Sequence, residues 1–234
     1  MAKLRHITFT GVDANTNLMA LQDIQSMCPI VEFGVLTSYH WYDNGRRYLN
    51  PEFMSNLSGC GLNLALHICG SAAHDAAVGD WEKIDELTCH NLRLFNRIQL
   101  NISGRKDNPE YCETAFIDGQ EIIIQQRCAS KVDLFENTQA HWPFAIDKFS
   151  TLLDASGGRD IDTPIEVLKT KEKVGYAGGI NPDNVGDKLR CLLQNPDVGD
   201  FWIDMESGVR TDDWFDTFKI REVLYICHEV LGEF

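Results

Sequence analysis

"VGYAGGINPDNVGDKLR", Val174–Arg190, is the stretch on which the fold turns. An apolar run ends on Gly178-Gly179, an Asn-Pro-Asp turn follows, and a segment with helical spacing begins. Adjacent glycines lose much conformational entropy on folding. A chain keeps them where the backbone must approach something closely or adopt a positive φ. A strand, a glycine loop and a helix start, in that order, make a βα unit whose loop is suited to an anion.

The same alternation runs through the rest of the chain. Candidate strands are "LRHITF" (4–9), "IVEFGVL" (30–36), "LNLALHI" (62–68), "RIQLNI" (97–102), "EIIIQQ" (121–126), "FSTLLDA" (149–155), "VGYAG" (174–178) and "FWIDM" (201–205). Several are almost continuously apolar, as parallel strands covered on both faces are. Helical spacing or start signals mark 15–27, 80–91, 131–141, 163–169, 181–194 and 211–231, with Pro164 and Pro182 at early helical positions. The segment 103–120 is polar, with Gly, Asn-Pro and Asp-Gly, and reads as a loop. Eight successive βα units predict an α/β fold, a single-domain (β/α)8 TIM barrel of the phosphate-binding type over residues 1–234. A doubly wound sheet is the alternative, because periodicity does not report closure.

Composition narrows the function. The chain has 234 residues and a net charge of −14, which disfavours non-specific binding to nucleic acid or to an anionic membrane. No apolar run is long enough to span a bilayer and the start lacks a signal-peptide pattern, so a cytoplasmic protein is expected. The eight cysteines form no CxxC pair and read as free thiols. "HICGSAAHD" (His67, Cys69, His74, Asp75) matches no zinc spacing. No cofactor motif occurs, and a monomer and a homodimer are both open.

In such barrels the loops after the seventh and eighth strands commonly hold phosphate. Gly178 and Gly179 follow the seventh candidate strand, and "ESGVRT" (206–211) follows the eighth. Backbone amides of Gly178, Gly179, Ser207 and Gly208 are therefore the expected phosphate donors, against the plainer reading of two tight turns. Arg159 and Arg210 lie beside these loops as possible neutralising charges or as solvated residues.

"YAGGINPDNV" followed by "IDMESGVRT" resembles the phosphate-binding end of the phosphoribosylanthranilate isomerase family, barrels of tryptophan biosynthesis. Upstream, "LLDASGGRDID", "EFGVLTSYHWYDNGRRYLNPEF", "RIQLNI" and "ITFTGVD" resemble further family segments in order. The resemblance implies an isomerase acting on a phosphorylated sugar-amine through an acid–base Amadori rearrangement. It places the general acid on Asp154, with Asp204 near enough to raise its proton affinity. Without the resemblance, Asp154 reads as a turn carboxylate. Arg47 corresponds to the arginine that holds a substrate carboxylate, with Arg46 as its neighbour in register and a surface charge as the alternative.

Two departures stand out. Thr10 occupies the position of the family's basic cysteine, and an unactivated hydroxyl titrates too high for that role. Asn101 replaces a family histidine. Cys69 and His67 share one strand face; they read more readily as a satisfied core histidine and an inert buried thiol than as substitute bases. The loop after the second strand, 37–46, is aromatic and suggests a different ligand or a lid. A catalytically silent phosphate-ligand binder, and a lyase or epimerase with the same phosphate grip, are the competing functions.

Overall fold

The computed structural model describes residues 2–39, 46–49, 51–102, 119–127, 149–157, 161–170 and 172–232. Eight parallel strands form one closed barrel in chain order. They are β1 (Lys3–Thr10), β2 (Val31–Thr37), β3 (Leu64–Cys69), β4 (Phe95–Asn101), β5 (Glu121–Gln126), β6 (Phe149–Asp154), β7 (Val174–Ala177) and β8 (Asp200–Met205). Closure is made by β1 on β8, with Ile7 opposite Ile203 and Thr8 opposite Asp204. All eight coincide with the apolar runs of the sequence, because each run is buried from both sides; β2 is buried over its whole length.

Two separate apolar clusters result. Outward residues such as Phe9, Phe33, Leu66, Ile98 and Ile203 join the helices in a single large core. Inside the barrel only Ile123, Leu152 and Trp202 form an apolar plug. Most other inward positions are polar, including Thr8, Glu32, His67, Arg97 and Gln99, all buried.

Among the described residues six α-helices cover the barrel: α1 (Leu18–Met27), α2 (Pro51–Leu57), α3 (Ser71–Ala77), α4 (Glu82–Leu87), α5 (Val185–Gln194) and α6 (Thr217–Leu231). Asn17 caps α1 by accepting from the amides of Met19 and Ala20. Asp216 does the same for α6, which ends on Gly232 in the left-handed region. None of these six helices is long and apolar enough to cross a membrane.

Three helix expectations need correction. Residues 163–169 form no helix. Thr163, Ile165 and Val167 are half-buried while Pro164 and Glu166 are exposed, the two-residue alternation of extended backbone that β-branched residues favour. Residues 211–215 belong to a small hairpin, β9 (Arg210–Thr211) with β10 (Trp214–Phe215), before α6 begins. Its turn is Asp212-Asp213, both at positive φ, which aspartate tolerates. Pro182 lies in the turn ahead of α5 rather than in its first turn. The short helix α3 carries four buried alanines, too weak a periodic signal to read in advance. The helix expected at 131–141, nearly all of the loop 103–120 and residues 40–45 lie outside the described residues.

Candidate active site

The C-terminal strand ends surround a cavity of about 290 Å³. Asp154, Thr10, Cys69, Arg47, Asp204, Gly178, Gly179, Ser207 and Gly208 all line it. Residues from all eight strands and from several of the loops that follow them converge on one space, as alternation within each strand requires.

The two glycine loops touch. A Cβ on Gly208 would lie 2.0 Å from the Ile180 carbonyl oxygen and 2.8 Å from Asn181 Cβ. Gly179 sits at φ +62°, and a Cβ there would lie 2.5 Å from the Ile161 carbonyl oxygen. No bulkier residue fits either place. The carbonyls of the loop are drawn to one side: Lys188 Nζ donates to Gly178 O at 3.1 Å, and Asn184 Nδ2 donates to Gly179 O at 2.9 Å. In a trans peptide the N–H points opposite to the C=O. The amides of Gly179 and Ile180 are therefore turned away from Lys188 and Asn184. Both residues line the cavity, and no described acceptor takes the Gly179 N–H. Lys188 is buried and is held further by Thr163 O at 2.7 Å and Asp162 at 2.8 Å. The turn Ser207–Val209 completes the rim with a single 3₁₀ turn directly after β8.

Two carboxyl groups project from β6 and β8. Asp204 is buried, and loss of hydration raises its pKa to about 7. The hydrogen bond from Thr10 works against that rise, while Glu206, Asp154 and Glu32 add to it by repulsion. Thr10 Oγ1 donates to Asp204 Oδ1 at 2.7 Å. His67 Nδ1 lies 4.0 Å from Asp204 Oδ2. Burial first, and then the Arg97 charge, lowers the His67 pKa to about 3, so the imidazole is neutral and this contact is no ion pair. Asp154 accepts at Oδ1 from Ser156 N (3.1 Å), Ser156 Oγ (2.6 Å) and Gly157 N (3.1 Å). Its Oδ2 accepts from Gln125 Nε2 at 2.7 Å. The turn Asp154–Gly157 thus forms as a local Asx motif and at the same time presents the carboxyl at the cavity.

Cys69 and His67 do share an orientation, and both face the cavity. Burial pushes the Cys69 thiol up to about 12. Asn101 Nδ2 donates to its sulfur at 3.4 Å, and Gln99 Nε2 donates to Asn101 Oδ1 at 2.9 Å. His67 and Cys69 do not converge with His74 and Asp75, which lie on α3; no metal-binding cluster occurs among the described residues.

Arg47 is engaged on two sides. Its Nη1 donates to Glu206 Oε1 at 2.6 Å and its Nε to Asp213 Oδ1 at 2.8 Å. Arg210 does not line the cavity, although it directly follows the turn Ser207–Val209. It is buried and bonds Gly11 O at 2.6 Å, Asp13 at 3.2 Å and Arg46 O at 2.6 Å, tying the loop after β1 to the hairpin. Carbonyl oxygens of Gly11, Arg46 and Asp213 and the Asp13 carboxylate take its N–H groups in place of water. Arg159 lies outside the described residues.

Sequence reasoning overlooked Glu206, Gln99 and Gln125, which also line the cavity. For Glu206 a signal existed: it follows Asp204 by two residues on the same strand face.

The chain is 30% identical over 137 residues to N-(5'-phosphoribosyl)anthranilate isomerase of Desulforudis audaxviator strain MP104C. That match takes in 56% of this chain and 62% of the relative, so the chain spans about three fifths of that relative's length. In fold it is similar to N-(5'-phosphoribosyl)anthranilate isomerase from Pyrococcus furiosus, with a TM-score of 0.60 and 14% identity over 96% of this chain and 99% of the other. It is also similar to phosphoribosyl anthranilate isomerase from Thermococcus kodakaraensis, with a TM-score of 0.56, 14% identity and the same coverage. No family model matches the sequence. The chain is thus similar to a named phosphoribosylanthranilate isomerase over part of its sequence, and it shares the barrel fold of two others.

Proposed function

We propose that the cavity isomerises a phosphorylated sugar-amine by general acid–base chemistry of the Amadori type. The observation that carries this reading is the convergence of two carboxyl groups, Asp154 and Asp204, with two touching glycine loops on one cavity. The loops supply converging amides for a phosphate, and the short 3₁₀ turn adds its N-terminal dipole. That grip fixes the sugar, so adjacent ring atoms meet both carboxyls.

The reaction needs one proton delivered to the ring oxygen as the C1–O bond breaks, and one removed from C2 of the resulting iminium. The enolamine then returns to a ketone by moving a proton from the C2 hydroxyl to C1. Asp204, with a pKa of about 7, exchanges protons in the range where such a group works best. Asp154 has four donors on its oxygens, an environment suited to an acceptor. This assigns the proton-carrying role to Asp204 and the accepting role to Asp154, the reverse of the expectation from sequence resemblance. Thr10 positions Asp204. Cys69, a thiol near pH 7, takes no proton.

Turnover of N-(5'-phosphoribosyl)anthranilate and of simpler phosphorylated ribosylamines is the test. Asp204→Asn and Asp154→Asn are each expected to lower kcat about 10²- to 10⁴-fold. Wild-type kcat should fall above pH 7. Full turnover in both variants would overturn the assignment. The replacement of the family cysteine by Thr10 favours one second reading, a non-catalytic binder. That reading gains if inorganic phosphate raises the melting temperature while no sugar-amine is turned over.

A further inference from the structure

We propose that the part of the cavity beside Arg47 and Glu206 receives an amine of the ligand and excludes a carboxylate. The inference rests on the phosphate-ligand reading above and names the substrate class more closely: a sugar phosphate whose nitrogen is an aliphatic amine rather than one carrying a carboxylated aryl ring.

Among the described lining residues Arg47 is the one cation, against Asp154, Asp204 and Glu206. A free arginine fork binds a carboxylate well, through two parallel N–H donors. This fork is already committed, to Glu206 at 2.6 Å and to Asp213 at 2.8 Å. Each edge of the guanidinium therefore has one donor in use, so a ligand carboxylate would gain two parallel donors only by displacing a protein carboxylate and would then lie beside it. An ammonium or secondary amine meets the opposite situation, since its N–H groups find acceptors.

Deeper in the same cavity, unpartnered atoms also call for a donor. Gln99 is 2% exposed and lines the cavity. Its nitrogen is used on Asn101, while its Oε1 has no hydrogen-bond partner among the described residues. His67, also 2% exposed and facing the cavity, leaves Nε2 without a partner. A buried amide oxygen without a donor is costly, so it marks a place where a ligand donor belongs. An amine supplies that donor and a carboxylate does not.

A matched pair of stable analogues tests this on the full chain: 1-amino-1-deoxyribitol 5-phosphate and its N-(2-carboxyphenyl) derivative, measured by calorimetry. The free amine is expected to bind at least ten-fold more tightly. Glu206→Gln releases Arg47 and should bring the carboxyphenyl compound up by about ten-fold. Gln99→Leu, an apolar near-isostere, should weaken the amine several-fold and leave the carboxyphenyl compound unchanged. Equal or tighter binding of the carboxyphenyl compound by wild type, weakened by Arg47→Ala, would overturn the inference. Binding of neither analogue, with inorganic phosphate still raising the melting temperature, would overturn it while leaving the phosphate site standing. Failure of phosphate as well would remove the reading on which it rests.

Discussion

Thr10 acts through its neighbour. A hydroxyl at this strand end is no base, yet it donates to Asp204 at 2.7 Å and holds that carboxyl's proton affinity down against burial. Thr10→Val removes the donor, so the Asp204 pKa rises further and the alkaline limb of the kcat profile moves to higher pH. A limb that stays put, or moves down, contradicts the arrangement. Linkage adds a stability readout. Asp204 binds its proton more tightly in the folded chain than in the unfolded one, where its pKa is the ordinary 3.8. Its stabilising contribution is complete below about pH 4 and is lost as pH rises through about 7. Asp204→Asn has no such proton to lose. Its melting temperature relative to wild type is expected to rise steadily between pH 5 and 8, measured by calorimetry. Neither effect was legible in the sequence, where Thr10 appears only as a missing cysteine.

At the scale of elements, the two glycine loops are placed by what surrounds them. Their existence and order were readable, because Gly-Gly and Ser-Gly follow the seventh and eighth strands in any register. Their contact was not, since it depends on β7 and β8 lying side by side at the same height. Gly208→Val puts side-chain carbon where Ile180 O stands and is expected to abolish stabilisation by inorganic phosphate. Lys188 offers a subtler probe from behind the loop. Lys188→Met keeps the buried stem but loses the bonds to Gly178 O and Thr163 O. The barrel should still form while phosphate binds about ten-fold more weakly in a titration followed by melting temperature. Undiminished phosphate binding would show that Lys188 does not position the loop. The helices were less readable than the strands for a related reason. Residues 163–169 carry a proline near an expected helix start, yet Ile165 and Val167 pack on the core in extended form.

The whole molecule is a barrel with an ionic interior. Beneath the cavity Arg97 donates to Glu32 at 2.9 Å, Thr8 donates to the same oxygen at 2.9 Å, and the Arg97 guanidinium lies 4.2 Å from the Trp202 ring centroid. Glu121 joins the group through Lys173 and Ser150. Desolvation pushes the Glu32 pKa up, and Arg97 opposes it. Removing one partner of such a pair leaves a buried charge alone, at a cost of about 3–5 kcal/mol. Arg97→Met is expected to destabilise by that amount in urea unfolding, and adding Glu32→Leu should recover most of it. A single Arg97→Met loss below about 1 kcal/mol would mean that water or neighbouring residues already satisfy Glu32.

By itself the sequence determined the strand spans, their order and the two glycine loops of a barrel like that of its relatives. Those features follow from local rules: apolar runs buried on both faces, and glycine where backbone must come close. Only the tertiary structure decided which polar residues meet. Thr10 reaches Asp204 across 194 positions, Arg47 reaches Glu206 across 159, and Arg210 turns from the cavity rim to Asp13 across 197. These partners belong to elements at opposite ends of the chain. They come together only when β1 closes on β8, and no local pattern records that event.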